Sequence, residues 1–359
     1  MLAIILGTRP EIIKTAPIVL EAIRRGIPVG IIHTGQHYTV EMDEIFFQEL
    51  NLPAPVAHVH VGSHSPVRQL GIMMQRLEEV LQALKPHTVL VQGDTNSVLA
   101  GALTAHKMGI PVAHLEAGLR SDDWSMPEEA NRVLADRLSR WLFCPTETQR
   151  ERLRQEGMVH EGIHVVGNTI VDAALFYSKI AYEKSDIAER LGIANRPYAL
   201  LTMHRPSNVD DRERLQSWIS SLTAAARSLN LCIVFPIHPR TKIQLDQAKI
   251  KMDETIFHAI EPVGYLDLLR LQASAELVLT DSGGLQEEAC ILRVPCVTLR
   301  ANTERPETVH VGANTLHNHP DKDLLEAVMR AAMGRLRQWE NPFGDGQTGV
   351  RVMDILQKE

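Results

Sequence analysis

Short apolar or β-branched runs alternate with longer amphipathic runs along the chain, and no other feature restricts its fold as strongly. In the first half the strand candidates are Ala3–Leu6, Val29–Thr34, Thr88–Gln92, Val112–Leu115, Trp141–Cys144 and His164–Val166. Helical patterns lie between them, among them Glu11–Arg25, Val67–Leu84, Ser97–Met108 and Glu128–Ser139. This βαβα alternation calls for an α/β fold, a parallel sheet with helices on both faces.

The pattern restarts after a charged, weakly periodic stretch, Ser178 to Asn195, which reads as a linker region. New strand candidates follow at Tyr198–Met203, Cys232–Pro236, Thr255–Ile260, Leu277–Thr280 and Cys296–Leu299. A chain of 359 residues is too long for one ordinary core and comfortable for two. We therefore expect two Rossmann-like domains facing across a cleft, residues 1–170 and 171–359. The last helix, expected over Lys322–Trp339, and the tail beyond it are taken to pack back on the first domain.

Bulk composition narrows the function. A formal net charge of −7 offers no basic surplus for coating a polyanion, so a nucleic-acid partner is not expected. The cysteines, Cys144, Cys232, Cys290 and Cys296, are scattered in apolar stretches without a CxxC pair, which reads as packed, reduced thiols and argues against thiolate zinc. The segment Met1 to Leu6 reads as a first strand, not a signal peptide. No apolar run has the length of a membrane span, so a cytoplasmic location is expected.

In open parallel sheets ligands sit beyond the carboxyl ends of the strands. The chemically loaded residues of this chain repeatedly follow strands. After the first strand comes Gly7-Thr8-Arg9-Pro10-Glu11, with Lys14 a turn further on. Gly7 allows a tight turn, Thr8 can cap, and Pro10 suits a first helical turn. Helix amides with Arg9 and Lys14 would make an anion site, or this is an ordinary capped helix. The segment is not GxGxxG, so no dinucleotide cofactor is signalled. After the third strand comes Gln92-Gly93-Asp94-Thr95, where Asp94 is either an N-cap or a carboxylate aimed at a ligand. His114-Leu115-Glu116-Ala117-Gly118-Leu119-Arg120 ends the next strand, with Glu116 beside small residues that let a ligand approach. Met126-Pro127-Glu128-Glu129 then opens a helix with ordinary helix-start chemistry. Arg132, four residues beyond Glu128, can pair with it or hold a phosphate.

In the second half His204 and Arg205 follow a strand; His238 follows another and is read as structural or peripheral. The sharpest local signal is Asp281-Ser282-Gly283-Gly284-Leu285-Gln286-Glu287-Glu288. Its glycines let a diphosphate reach backbone amides at a helix start, and Glu288 can accept hydrogen bonds from ribose hydroxyls. Thr303-Glu304-Arg305-Pro306-Glu307 follows a further strand and reads as loop contacts to the same ligand.

Taken in order, from residue 5 to about 315, these motifs resemble the non-hydrolysing UDP-N-acetylglucosamine 2-epimerases. The resemblance implies the two-Rossmann glycosyltransferase-B type of fold, a homodimer, and UDP held mainly by the second domain. It implies interconversion of UDP-GlcNAc and UDP-ManNAc by elimination of UDP through 2-acetamidoglucal, without a metal or other cofactor. The matching acid–base carboxylates are Asp94, Glu116 and Glu128, and His204 would steady the leaving UDP. Arg9, Lys14, Arg132, Arg205, Ser282, Gly283, Gly284, Glu288 and Arg305 match substrate contacts. The loop Glu261–Leu269 would border the uracil, where Val263 and Leu268 replace polar or aromatic residues often seen beside the base.

Two departures bear on regulation. Members activated by UDP-GlcNAc often carry His-Arg-Arg-Glu-Asn where this chain has His204-Arg205-Pro206-Ser207-Asn208. They often have a second glutamine shortly after the Gln-His pair, where Gln36-His37 is followed here by Tyr38-Thr39. Activation by that route is not expected. The alternatives are a 2-epimerase of another UDP-2-acetamido sugar, such as a diacetamido-uronic acid, or a glycosyltransferase of the same fold. The first tends to lack the stretch Thr303–Glu307; the second would not need three carboxylates at one site.

Overall fold

The computed structural model describes residues 1–35, 46–62, 64–159 and 161–358. Gln36 to Thr39, which bear on the activator site, lie outside the described residues. The chain divides into two compact units: Met1–Ala173 with Phe343–Glu359, and Ala174–Pro342.

The first unit is a seven-stranded sheet, all of it parallel. In chain order the strands are β1 (Leu2–Leu6), β2 (Val29–His33), β3 (Ala57–His58), β4 (Thr88–Gln92), β5 (Val112–Leu115), β6 (Trp141–Cys144) and β7 (Ile163–Val165). The spatial order is β3-β2-β1-β4-β5-β6-β7, so the direction of winding reverses between β1 and β4. Every residue of β1 is buried, because helices cover both faces of the sheet. The helix Pro66–Leu84 shows how the sequence specifies that cover. It buries Gln69, Met73, Leu77 and Leu81, one residue per turn along one stripe, and Lys85 in the left-handed conformation ends it. The helix Asn96–Lys107 approaches the sheet more closely than a larger side chain would permit. A Cβ on Gly101 would stand 3.0 Å from Ile5 Cδ1 and 3.1 Å from Val91 Cγ1.

The second unit repeats the plan with six parallel strands: β8 (Tyr198–Thr202), β9 (Cys232–Pro236), β10 (Phe257–Ile260), β11 (Leu277–Thr280), β12 (Cys296–Thr298) and β13 (Asn314–Leu316). Their order, β10-β9-β8-β11-β12-β13, reverses between β8 and β11. The fold is therefore α/β with two doubly wound, Rossmann-like domains. Trp218, fully buried on the helix Arg212–Ser228, anchors one face of this sheet beside Leu201, Phe235 and Leu279.

Three sequence expectations change. The stretch from Ser178 to Asn195 is not a bare linker. The helix Thr169–Lys184 runs through its start, and Ile187–Arg190 forms another turn of helix. Its charged residues face outward while Tyr177, Ala181, Ile187 and Ala188 are buried. The helix expected over 322–339 ends at Met333 and stays in the second unit, packed on Arg212–Ser228. It is a further helix, Thr348–Gln357, that returns to the first unit, against Arg9–Arg24. Among the described residues no helix is long and apolar enough to cross a membrane.

Candidate active site

The reversal of strand order in each unit opens a crevice at the carboxyl ends of the two strands that flank it. In the first unit these are β1 and β4, followed by Gly7-Thr8-Arg9 and by Gly93-Asp94-Thr95. A carboxylate missed in the sequence, Glu11, ties the two loops together. Only 3% exposed, it accepts hydrogen bonds from Gly7 N (2.7 Å), Thr8 Oγ1 (3.0 Å) and Thr95 Oγ1 (2.6 Å). Burial pushes its carboxyl above the ordinary value, and these donors pull against that. Thr8 does hold the N-cap position of Arg9–Arg24, but its hydroxyl serves Glu11 instead of the helix amides. Arg9 lies over the Phe46 ring, 5.2 Å from its centroid.

Glu116 follows β5 and draws partners from three segments of the unit. It is buried, and it accepts from Lys14 Nζ (2.5 Å), Gln92 Nε2 (2.7 Å) and Asn168 Nδ2 (3.2 Å). Its backbone sits at φ +65°, a left-handed conformation that costs a glutamate on the order of 1–3 kcal/mol. Packing at a strand end thus forces the carboxylate to one place. Gly93 adjoins it, since a Cβ there would stand 3.8 Å from Glu116 Oε2. Asn168 follows β7, and the rule that led to the other loops would have found it too.

Asp94 is not the cap of Asn96–Lys107; Thr95 occupies that position, without a side-chain cap bond. The Asp94 carboxylate meets Arg132 Nη2 at 2.5 Å. Arg132 also pairs with Glu129 at 2.7 Å, not with Glu128. Glu129 is buried and takes the amides of Ser121 and Asp122, fastening the loop that precedes its helix. Burial raises the Glu129 carboxyl, but those donors and Arg132 bring it below its ordinary value. Glu128 is exposed on the first turn of Pro127–Leu138 and makes no ion pair or side-chain hydrogen bond among the described residues.

In the second unit β8 and β11 flank the crevice, and Asp281 bridges the loops after them. Fully buried, it accepts from His204 N (3.0 Å), Arg205 N (2.9 Å) and Asn208 Nδ2 (3.1 Å), and it lies 3.0 Å from His204 Nδ1. Burial raises the Asp281 carboxyl, but His204 and the amides outweigh it and leave it below the ordinary value. The His204 ring is thereby oriented, with His238 at 5.3 Å between centroids. Ser282 is the N-cap of Gly283–Ile291 but makes no side-chain cap bond. A Cβ on Gly284 would meet nothing within 4 Å, so the helix start stands open. Glu288 is buried and accepts from Tyr265 Oη at 3.1 Å. Arg305 pairs with buried Glu287 at 2.7 Å, and Arg205 lies 3.8 Å from Glu304. Val263 and Leu268 are partly buried against a core cluster that includes Leu200 and Leu271.

In the second unit a helix start open at Gly284 and an oriented histidine suit a phosphorylated ligand, and in the first unit buried carboxylates at strand ends suit acid–base chemistry. The family model described as UDP-N-acetylglucosamine 2-epimerase matches residues 21–357. The chain belongs to the UDP-N-acetylglucosamine 2-epimerase family. Within the family it is 51% identical over 361 residues to the UDP-N-acetylglucosamine 2-epimerase of Methanocaldococcus jannaschii, covering 99% of this chain and 98% of the relative. A crystal structure of the epimerase from that organism in complex with UDP-GlcNAc and UDP has a TM-score of 0.90 to this chain, with 50% identity, covering 100% of this chain and 99% of the other. A UDP-2,3-diacetamido-2,3-dideoxy-D-glucuronate 2-epimerase from Pseudomonas aeruginosa is 40% identical, covering 99% of this chain and 98% of the relative.

Proposed function

We propose that the chain interconverts UDP-N-acetylglucosamine and UDP-N-acetylmannosamine. The observation that carries the reading is Glu116, a carboxylate buried at a strand end and held by Lys14, Gln92 and Asn168. A carboxylate of this kind is wasted on structure alone, because its backbone is strained and its partners come from three separate segments.

In this reading a carboxylate of the first unit removes the C2 proton. The C–H electron pair forms the C1–C2 double bond, and the C1–O bond breaks with its electrons leaving on UDP. The intermediate is 2-acetamidoglucal. A proton then returns to C2 on the opposite face as the UDP oxygen bonds to C1. Asp94, Glu116 and Glu128 supply the acid–base groups, and His204, oriented by Asp281, steadies the departing diphosphate. Arg9, Lys14 and Arg132 contact the substrate from the first unit. Arg205, Ser282, Gly283, Gly284 and Arg305 take the diphosphate and Glu288 the ribose, and the uracil falls to Val263 and to Leu268, which lies not on a loop but in the helix Tyr265–Ala273. Lys14 pairs with Glu116 and Arg132 with Asp94, so each cation that contacts the substrate also orients one of the acids. Substrate and product have one oxidation level, so no redox cofactor is called for. The working unit is a homodimer in the cytoplasm.

Incubation with UDP-GlcNAc in heavy water tests this. An epimerase forms UDP-ManNAc carrying deuterium at C2; a product pool without C2 deuterium refutes the reading, and sustained release of free sugar points to hydrolysis. Glu116→Gln and Glu128→Gln should each lower turnover by about 10²–10⁴-fold while UDP binding is kept. The 40% identity to the diacetamido-glucuronate epimerase favours one second reading, tested by giving that UDP-sugar in the same assay.

A further inference from the structure

His114 stands on β5, two residues before Glu116, with 1% of its side chain exposed. Its Nδ1 lies 2.7 Å from Asp136 Oδ1, and its Nε2 lies 2.8 Å from the carbonyl oxygen of Gly93. A carbonyl oxygen only accepts, so Nε2 carries a proton. The other oxygen of Asp136 accepts from Gly118 N at 3.1 Å and faces Arg120 Nη1 at 2.8 Å. Asp136 is therefore an acceptor toward Nδ1 as well. Both ring nitrogens face acceptors.

We infer that His114 is a buried imidazolium and a positioning residue for the reaction, clamping the Gly93 peptide so that Asp94 and Glu116 keep their places. The positioning role rests on the function proposed above. Gly93 N donates to Leu115 O at 3.1 Å, so both faces of that residue, its N–H and its carbonyl, are fixed to β5. Gly93 lies between Gln92, which donates to Glu116, and Asp94, which pairs with Arg132. It bends the chain there at φ +83°. The clamp thus sets the register between the two candidate acids. Removing the ring donor would leave the Gly93 carbonyl without its buried partner. Burial works against charge on the ring, but Asp136, the Gly93 carbonyl and Glu116 together raise the imidazole above its ordinary value. The charged groups facing it are Asp136 and Glu116, with Arg120 beyond Asp136.

Nitrogen NMR of the full-length chain labelled at histidine tests the protonation without any variant. At pH 8 exposed histidines are neutral, so one ring with both nitrogens protonated is expected, and its loss in His114→Gln assigns it. A spectrum at pH 8 with no such ring overturns the inference. The positioning role is read from kinetics. His114→Gln should lower kcat about 100-fold while KM for UDP-GlcNAc and the Kd for UDP stay within about twofold. A kcat equal to wild type, or a loss confined to KM, overturns it. A wild-type chain inactive on UDP-GlcNAc would sink the proposed function and the positioning role with it, and the ring signal would still decide the imidazolium.

Discussion

The pair Lys14–Glu116 sits at the centre of the first unit's site, and a double-mutant cycle measures how far that site depends on it. The charged atoms are 2.5 Å apart, with side chains 9% and 6% exposed. At an effective dielectric of about 20, two unit charges at that separation attract by about 7 kcal/mol, and desolvation of both groups offsets much of this. Losing one partner is the costly event. Glu116→Gln leaves a buried ammonium facing an amide, and Lys14→Met leaves a buried carboxylate that has lost its cation and keeps the neutral donors Gln92 and Asn168. Each should destabilise by about 3–5 kcal/mol. The double variant buries no unpaired charge, so its loss should fall short of the sum of the singles by about 2–3 kcal/mol. Calorimetry at pH 7 reads this on the transition of the first unit. In a unit of this size 1 kcal/mol moves Tm by about 2–4 °C, so each single variant should fall by about 10 °C. Losses that add to within about 0.5 kcal/mol would show that the two groups do not act as a pair and would remove Glu116 from the proposed reaction.

Gly118 has φ +80°, and a Cβ there would lie 2.5 Å from Gln149 O, so Gly118→Ala should cost roughly 3 kcal/mol; a melting temperature equal to wild type would refute the geometry. Burial raises Glu304, but Arg300 pulls it from the ordinary 4.5 to about 2. Its folded value is depressed, so its contribution is present above pH 4.5 and fades as pH falls toward 2; Glu304→Gln should lose stability at neutral pH and converge with wild type near pH 2 in acid titrations. All four cysteines are buried, and burial pushes Cys144, Cys290 and Cys296 up to about 12. A thiol reagent at pH 8 should label the native chain slowly and all four sites once it is denatured; fast labelling of the native form would contradict the packing. His204→Ala should lower kcat more than it raises KM, because a leaving group needs help only as its bond breaks; an effect on KM alone would remove the assigned role.

The fold was legible because its central strands are covered on both faces and so are written as apolar runs. Thr88–Gln92, Trp141–Cys144 and Leu277–Thr280 end where the pattern places them. The two strands the pattern missed, Ala57–His58 and Asn314–Leu316, are short and lie at sheet edges, where few side chains are committed to a core. The loops were legible for the same reason in reverse: Asp94, Glu116, His204 and Asp281 follow buried strands and are too polar to continue them. The pairings were not. Arg132 is three residues from Glu129 and four from Glu128, and both lie on its side of the helix. The loop amides of Ser121 and Asp122 and the Ser121 hydroxyl, which draw Glu129 inward, decide between them. Lys14 carries the same ambiguity, since a lysine one turn into a helix serves a phosphate or a carboxylate equally well on paper.

The two units solve one problem in the same way. Reversing the strand order parts the loops that follow two neighbouring strands, and it leaves their amides and hydroxyls pointing into a gap where water and ligand compete for them. Each unit fills that gap with one buried carboxylate. Glu11 joins the loop after β1 to Thr95 after β4, and Asp281, after β11, takes the amides of His204 and Arg205 after β8. A carboxylate is suited to this because its two oxygens accept several donors at once and donate nothing back. The consequence for chemistry is a division of labour among acids. Glu11 and Asp281 are surrounded by donors and hold the loops. Asp94 and Glu116 are held by cations, Arg132 and Lys14. Glu128 faces solvent on a helix that Glu129 has already fixed in place. In the proposed reaction, anchoring by one set of acids leaves the other set to move protons.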